Sequence, residues 1–146
     1  MVHGAIKQFI EDVEWEGVEN LVVDLPPGTG DAHLSLIQTV PLNGGIIVTT
    51  PQEVALIDVK RGIQMFKKLN VPVLGVIENM SYLQNGSEKI DIFGRGGGKA
   101  MAEKFGVPFL GEIPIDPEIR KRNAEGQLEI ECLASQTHRV LKHLRK

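Results

Sequence analysis

Apolar and polar positions along the chain follow two periods in turn. Ala5, Ile6, Phe9, Ile10 and Val13 recur at spacings of three and four, which predicts an amphipathic helix from Met1 to Glu14. Leu21-Val22-Val23 is a short unbroken apolar run, the composition of a buried parallel strand, and predicts a strand from Asn20 to Asp24. A short helix follows from Ala32 to Val40, stopped by Pro41. "GIIVT" from Gly45 to Thr49 reads as a second apolar strand. Pro51-Gln52-Glu53 opens a helix whose Ala55, Val59, Ile63, Phe66 and Leu69 keep the helical period. Val71 to Ile77 is a valine-rich third strand. Ser81 to Ile92 is polar and fits a loop or a small hairpin. Gly97 to Phe105 reads as a helix after a glycine run, and Pro108 to Ile113 as a fourth strand. Pro117 opens a short helix over Glu118 to Ala124, and Ser135 to Arg145 forms a last helix with a basic end. Strands alternating with helices predict an α/β fold, a parallel sheet covered by helices on both faces.

The 146 residues suffice for one domain with a real core, and no linker or repeat divides residues 1–146. Hydrophobic content of 42% and charged content of 24% are ordinary for a globular protein. A net charge of -3 gives no broad attraction to nucleic acid or to an anionic membrane. No apolar run is long enough to span a bilayer, and the N-terminus has no apolar signal segment. One cysteine, Cys132, excludes an internal disulfide. These features are those expected of a cytoplasmic protein.

The densest chemistry lies in Asp24-Leu25-Pro26-Pro27-Gly28-Thr29-Gly30-Asp31. An acid ending a buried strand stands at the sheet's carboxyl edge, where open α/β folds bind ligands. The prolines stiffen the turn after the strand, and Gly28 and Gly30 allow close backbone approach. Asp31 is placed to cap the next helix, whose N-terminus favours an anion. The acid and glycines alone fit either a metal-phosphate site or a tight strand-to-helix turn with a capping aspartate; the full octet favours the site.

"VVDLPPGTGD" resembles the second nucleotide-binding motif of the Mrp/NBP35 (ApbC-like) family, deviant P-loop ATPases of the MinD-like type that carry iron-sulfur clusters. The resemblance continues through "SLIQTVPLNGGIIVTTPQEVALIDVKRGIQMF", "VPVLGVIENMSY" and "IFGRGGGKAMAEKFGVPFLGEIPIDPEIR", covering nearly the whole chain. It implies that residues 1–146 form the C-terminal portion of a P-loop ATPase domain, starting after the first phosphate loop. It assigns Asp24 to magnesium, reached through water beside the nucleotide phosphates; a hard cation of this kind keeps several waters. Gly28 and Gly30 fall in the segment that responds to the γ-phosphate and stand with Asp24 as the implied catalytic positions. Asn79 of "ENM" is implied to contact the base, and an amide offers the donor and acceptor that suit an adenine edge. "IPID", with Pro114 and Asp116, resembles the second base-side loop. Without the resemblance, both segments read as ordinary strand-end turns.

Two features depart from the family pattern. Gly94-Arg95-Gly96-Gly97-Gly98-Lys99-Ala100 imitates a phosphate loop, yet Phe93 stands where that loop needs glycine and Ala100 where it needs Ser or Thr. A dinucleotide turn fails as well, because Lys99 takes the last glycine position. The stretch reads as a flexible helix start, and no other phosphate loop exists in the sequence. The family's Cys-x-x-Cys pair after "MSY", which binds a cluster shared across a homodimer, is also missing. Leu83 to Ile90 contains no thiol, and thiolates are what hold iron-sulfur clusters. Cys132 reads as a small buried or half-buried side chain. His3, His33, His138 and His143 show no metal spacing and read as solvated or capping residues; His33, near Asp31, is the one that could also sense nucleotide.

The implied function is an ATP-dependent iron-sulfur cluster carrier or assembly protein, with ATP and magnesium as cofactors and iron-sulfur apoproteins as clients. It would act as a homodimer or with a full-length relative. Lacking the phosphate cradle, the chain is expected to be either a fragment of a longer protein or a short product without ATPase activity. The alternative is a non-enzymatic interaction module that pairs with a full-length relative through the "GTGDAHLSL" face.

Overall fold

The branched apolar runs pair as parallel strands, and the periodic segments between them become the covering helices. The computed structural model describes residues 2–25, 30–117, 119 and 121. Helix α1 spans Val2–Glu11 and α2 Asp31–Thr39; strand β1 spans Gly45–Thr49, α3 Glu53–Lys68 and β2 Val73–Glu78. A hairpin of β3 (Leu83–Asn85) and β4 (Glu88–Ile90) leads to α4 (Gly97–Phe105) and β5 (Phe109–Glu112).

The main sheet is parallel, in the order β1-β2-β5. Thr49 lies opposite Glu78 and Glu78 opposite Glu112, so all three strands end together at one carboxyl edge. Helices α3 and α4 flank the sheet and pack on each other and on its strands. The α3 stripe Val59, Ile63 and Phe66 is buried; Val59 and Ile63 meet Val76 and Ala102, with Ile47, Leu56, Phe105 and Phe109 around them. Burying each large apolar side chain contributes about 1.5–3 kcal/mol before the entropy of ordering it is subtracted. Lys67 then donates to the Phe105 carbonyl at the end of α4, at 2.9 Å, and ties the two helices at that end. Helix α1 packs on α2, and the Phe9 and Trp15 rings meet edge to face at 5.3 Å.

Most expected elements are present, two of them with the expected bounds: β1 and α4. Ser81 to Ile92 contains the small hairpin. The expected strand from Asn20 to Asp24 is a correction. Residues 20–25 belong to no strand, and Val22 is 86% exposed. Composition marks a segment for burial, but a strand also needs a partner backbone. Among the described residues none pairs with this segment, and none pairs with the outer edge of β1. The two runs therefore do not pair with each other. The expected capping role of Asp31 is also corrected. Gly30 occupies the cap position with extended backbone, and Asp31 is the first helical residue. Of the helix expected from Glu118, residues 117, 119 and 121 are helical. The rest of that helix, the helix expected from Ser135, and Gly28 and Cys132 lie outside the described residues.

Candidate functional site

The carboxyl edge of the sheet is organised around Glu78, the last residue of β2. Its side chain is fully buried, where an ionised group is costly unless it is compensated. The compensation comes from the glycine run. Glu78 Oε1 accepts the Gly96 N–H at 3.1 Å, and Oε2 accepts the Gly98 N–H at 2.6 Å. The carboxylate thus sits on the N-terminus of α4, where the helix dipole favours a negative charge.

This explains why the run is glycine. Gly96 has φ +74°, in the left-handed region. A Cβ on Gly97 would stand 2.8 Å from the Pro51 carbonyl oxygen, and one on Gly98 3.2 Å from Glu78 Oε2. The apparent phosphate loop is a helix start closed on the protein's own carboxylate, as its failed spacing implied.

The main chain of Glu78 joins the neighbouring loops. Its carbonyl accepts the Ser81 hydroxyl at 2.8 Å and the Ile113 N–H at 2.8 Å. The Asn79 N–H donates to the Thr49 carbonyl at 2.6 Å, the Ser81 N–H to Ile113 at 3.0 Å, and the Ile115 N–H to Tyr82 at 2.7 Å. Leu83 and Ile115 form a parallel bridge. The two segments proposed for the base, 79–81 and 113–116, are therefore bound to each other.

Asn79 is half-buried at the start of this loop. Its amide oxygen accepts the Met80 N–H at 2.9 Å, and among the described residues no acceptor takes its NH2 donors. Met80 has φ 55°, a conformation a side-chain-bearing residue holds only where its surroundings impose it. Pro114 and Asp116 are half-buried in the facing loop.

Asp24 and Gly30, expected to serve the switch side, belong to no strand of the sheet. Asp24, the first residue of the octet, is exposed at the end of the unpaired segment, and Gly30 caps α2. Among the described residues no group of three or more His, Cys, Asp and Glu side chains forms a metal site. The described residues thus supply no set that would hold magnesium by itself; the exposed carboxylate of Asp24 fits a water-mediated contact to an ion held by other ligands.

His33 corrects its expected solvated or capping role: it lies within α2 and is buried, and its Nδ1 has no partner among the described residues. Burial holds its pKa below the usual 6.5. Glu78 itself was not among the residues singled out by sequence. Its signal was an acid ending a valine-rich strand before a glycine run, but the pairing spans 18 and 20 residues and no local pattern reveals it.

Comparison with known proteins gives these observations a setting. A family model described as ParA, NUBPL iron-transfer P-loop NTPase, matches residues 1–146. An iron-sulfur cluster carrier protein of Deinococcus radiodurans is 57% identical over 123 residues, 83% of this chain and 35% of that protein. One from Methanocaldococcus jannaschii is 47% identical over 140 residues, 92% of this chain and 48% of that protein. The chain thus spans less than half the length of these relatives. Among solved structures, a nucleotide-binding protein from Archaeoglobus fulgidus in complex with ADP superposes with a TM-score of 0.80 at 36% identity, covering 91% of this chain and 57% of that one. The cell division ATPase MinD of Pyrococcus furiosus superposes with a TM-score of 0.63 at 21% identity over 98% of this chain and 56% of its own, a likeness of fold alone.

Proposed function

The chain belongs to the ParA family of NUBPL-type iron-transfer P-loop NTPases, and on that premise we propose that it supplies the base side and the switch side of a nucleotide-dependent iron-sulfur cluster carrier. The observation that carries the reading is the joined pair of loops at the carboxyl edge. Residues 79–81 and 113–116 are fixed to one another through Glu78 and present the Asn79 amide donors beside a strained turn. In this reading Asn79 contacts the adenine edge, and Pro114 and Asp116 line the facing side. Asp24 stands in water-mediated reach of a magnesium ion, and Gly28 and Gly30 belong to the segment that answers the γ-phosphate. When bound, magnesium would neutralise charge on the phosphates. Hydrolysis of this class rests on positioning and charge stabilisation, and the chain's own contribution is to hold base and switch in place. The cluster is cargo for iron-sulfur apoproteins. The carrier acts in the cytoplasm, as a homodimer or with a full-length relative.

The sequence contains no phosphate loop, whose N–H groups and lysine hold the β- and γ-phosphates. The chain alone is therefore expected to bind ATP very weakly and to turn none over. The test is a chimera in which this chain replaces the matching stretch of the Deinococcus radiodurans relative. The chimera is expected to hydrolyse ATP. Asp24→Asn should lower that rate by about tenfold or more with an unchanged melting temperature. Unchanged hydrolysis with a lower melting temperature would instead give Asp24 a purely structural role. A folded chimera without any nucleotide binding would favour the interaction-module reading.

A further inference from the structure

We propose that Glu78 is a positioning residue whose buried carboxylate, bound to the Gly96 and Gly98 N–H groups, holds the 79–81 and 113–116 loops in the geometry that accepts an adenine base. This rests on the reading of those loops as the base site. Four segments meet on this one residue. Its side chain takes the start of α4, and its carbonyl takes Ser81 and Ile113. The N–H of that same peptide unit, which belongs to Asn79, donates to the Thr49 carbonyl at the end of β1.

A carboxylate gripped at both oxygens has its side-chain torsions fixed, and its backbone then cannot turn without breaking one of those bonds. The direction in which Asn79 leaves β2 is set by that constraint. An apolar side chain of similar size would fill the space without fixing the backbone. It would also leave two buried N–H groups unpaired. Glutamine is the discriminating replacement. One end of its amide is a donor, so it cannot accept from both N–H groups, and one glycine N–H is left facing another donor.

The test uses the whole 146-residue chain, labelled with nitrogen-15, and adenosine as the probe. In the unsubstituted chain the Gly96 and Gly98 amides should exchange slowly, and adenosine should shift the resonances of Asn79 and Ile115. Glu78→Gln is expected to speed exchange at one or both glycines by about tenfold or more. It should also move the Asn79, Ser81, Ile113 and Ile115 resonances before any ligand is added, and weaken adenosine binding about fivefold or more. The core variant Ile63→Val is the control: it lowers the melting temperature but should leave those resonances and the adenosine affinity in place. Unmoved loop resonances in Glu78→Gln, or equal weakening of adenosine binding in Ile63→Val, would overturn the proposal. Binding is expected to be weak without a phosphate loop, so adenosine is titrated to roughly 10 mM, and if it moves none of these resonances there the base-site reading fails. Positioning by Glu78 is then decided by the loop resonances, which respond without ligand. Should Glu78→Gln not fold, Glu78→Asp keeps the charge, shortens the reach and is read in the same way.

Discussion

Gly97 gives the sharpest prediction at the scale of single residues. An added methyl group would stand 2.8 Å from the Pro51 carbonyl oxygen and 2.9 Å from Leu56 Cδ1, and the first of these is backbone that has little room to give. Gly97→Ala should destabilise the protein by about 1–3 kcal/mol, read as a lower midpoint in urea. Gly94, by contrast, has nothing within 4 Å of an added Cβ, and its φ of +85° is the only obstacle there. His33 gives a prediction in pH. Burial lowers its folded pKa below the unfolded 6.5, so the unfolded state binds more protons. Stability is therefore complete above about pH 6.5 and declines as the pH falls through that value. Thermal melts at about pH 5 and about pH 7.5 should differ in that direction, and His33→Leu should reduce the difference. An unchanged difference in the variant would remove His33 as its source. The Gly97 contact depends on neighbours distant in sequence, and neither it nor the burial of His33 was legible from the pattern of residues alone.

Among the elements, those whose partners are close in sequence or self-contained were the legible ones. The stripe Val59, Ile63, Phe66 announced α3, and the unbroken "GIIVT" announced β1, because burial on the flanked sheet needs those residue types. The 20–24 segment has the same composition and is not a strand, because pairing is a property of two backbones. The glycine run read correctly as a helix start, while the carboxylate that holds it stayed hidden. The outer edge of β1, unpaired among the described residues, has a consequence of its own. It carries no charge and no proline, and Val48 beside it is 60% exposed, so the edge lacks the usual guards against strand addition. The isolated chain should associate as its concentration rises, by size-exclusion chromatography, and Val48→Lys should reduce that association. A monomer at all concentrations, melting cooperatively above the usual ~45–65 °C range, would contradict this account of the edge.

For the whole molecule, the family and the α/β architecture were legible because they rest on blocks spread along nearly the full chain. The cluster chemistry is where the sequence departs from the pattern its resemblance implies. The hairpin at 83–90 has no thiol, and Cys132 alone cannot hold a cluster. Anaerobic reconstitution of this chain should therefore yield no stable four-iron cluster. Stoichiometric iron that disappears in Cys132→Ser would reverse that expectation. The central claim is that the carboxyl edge around Asn79 is the base side of a nucleotide site. The most direct measurement is calorimetry of ATP and GTP binding to the chimera that supplies a phosphate loop, with and without Asn79→Ala. The account predicts a preference for ATP that shrinks by about tenfold, roughly 1.4 kcal/mol, in the variant, while the phosphates still hold both nucleotides. An ATP preference unchanged by Asn79→Ala would contradict it.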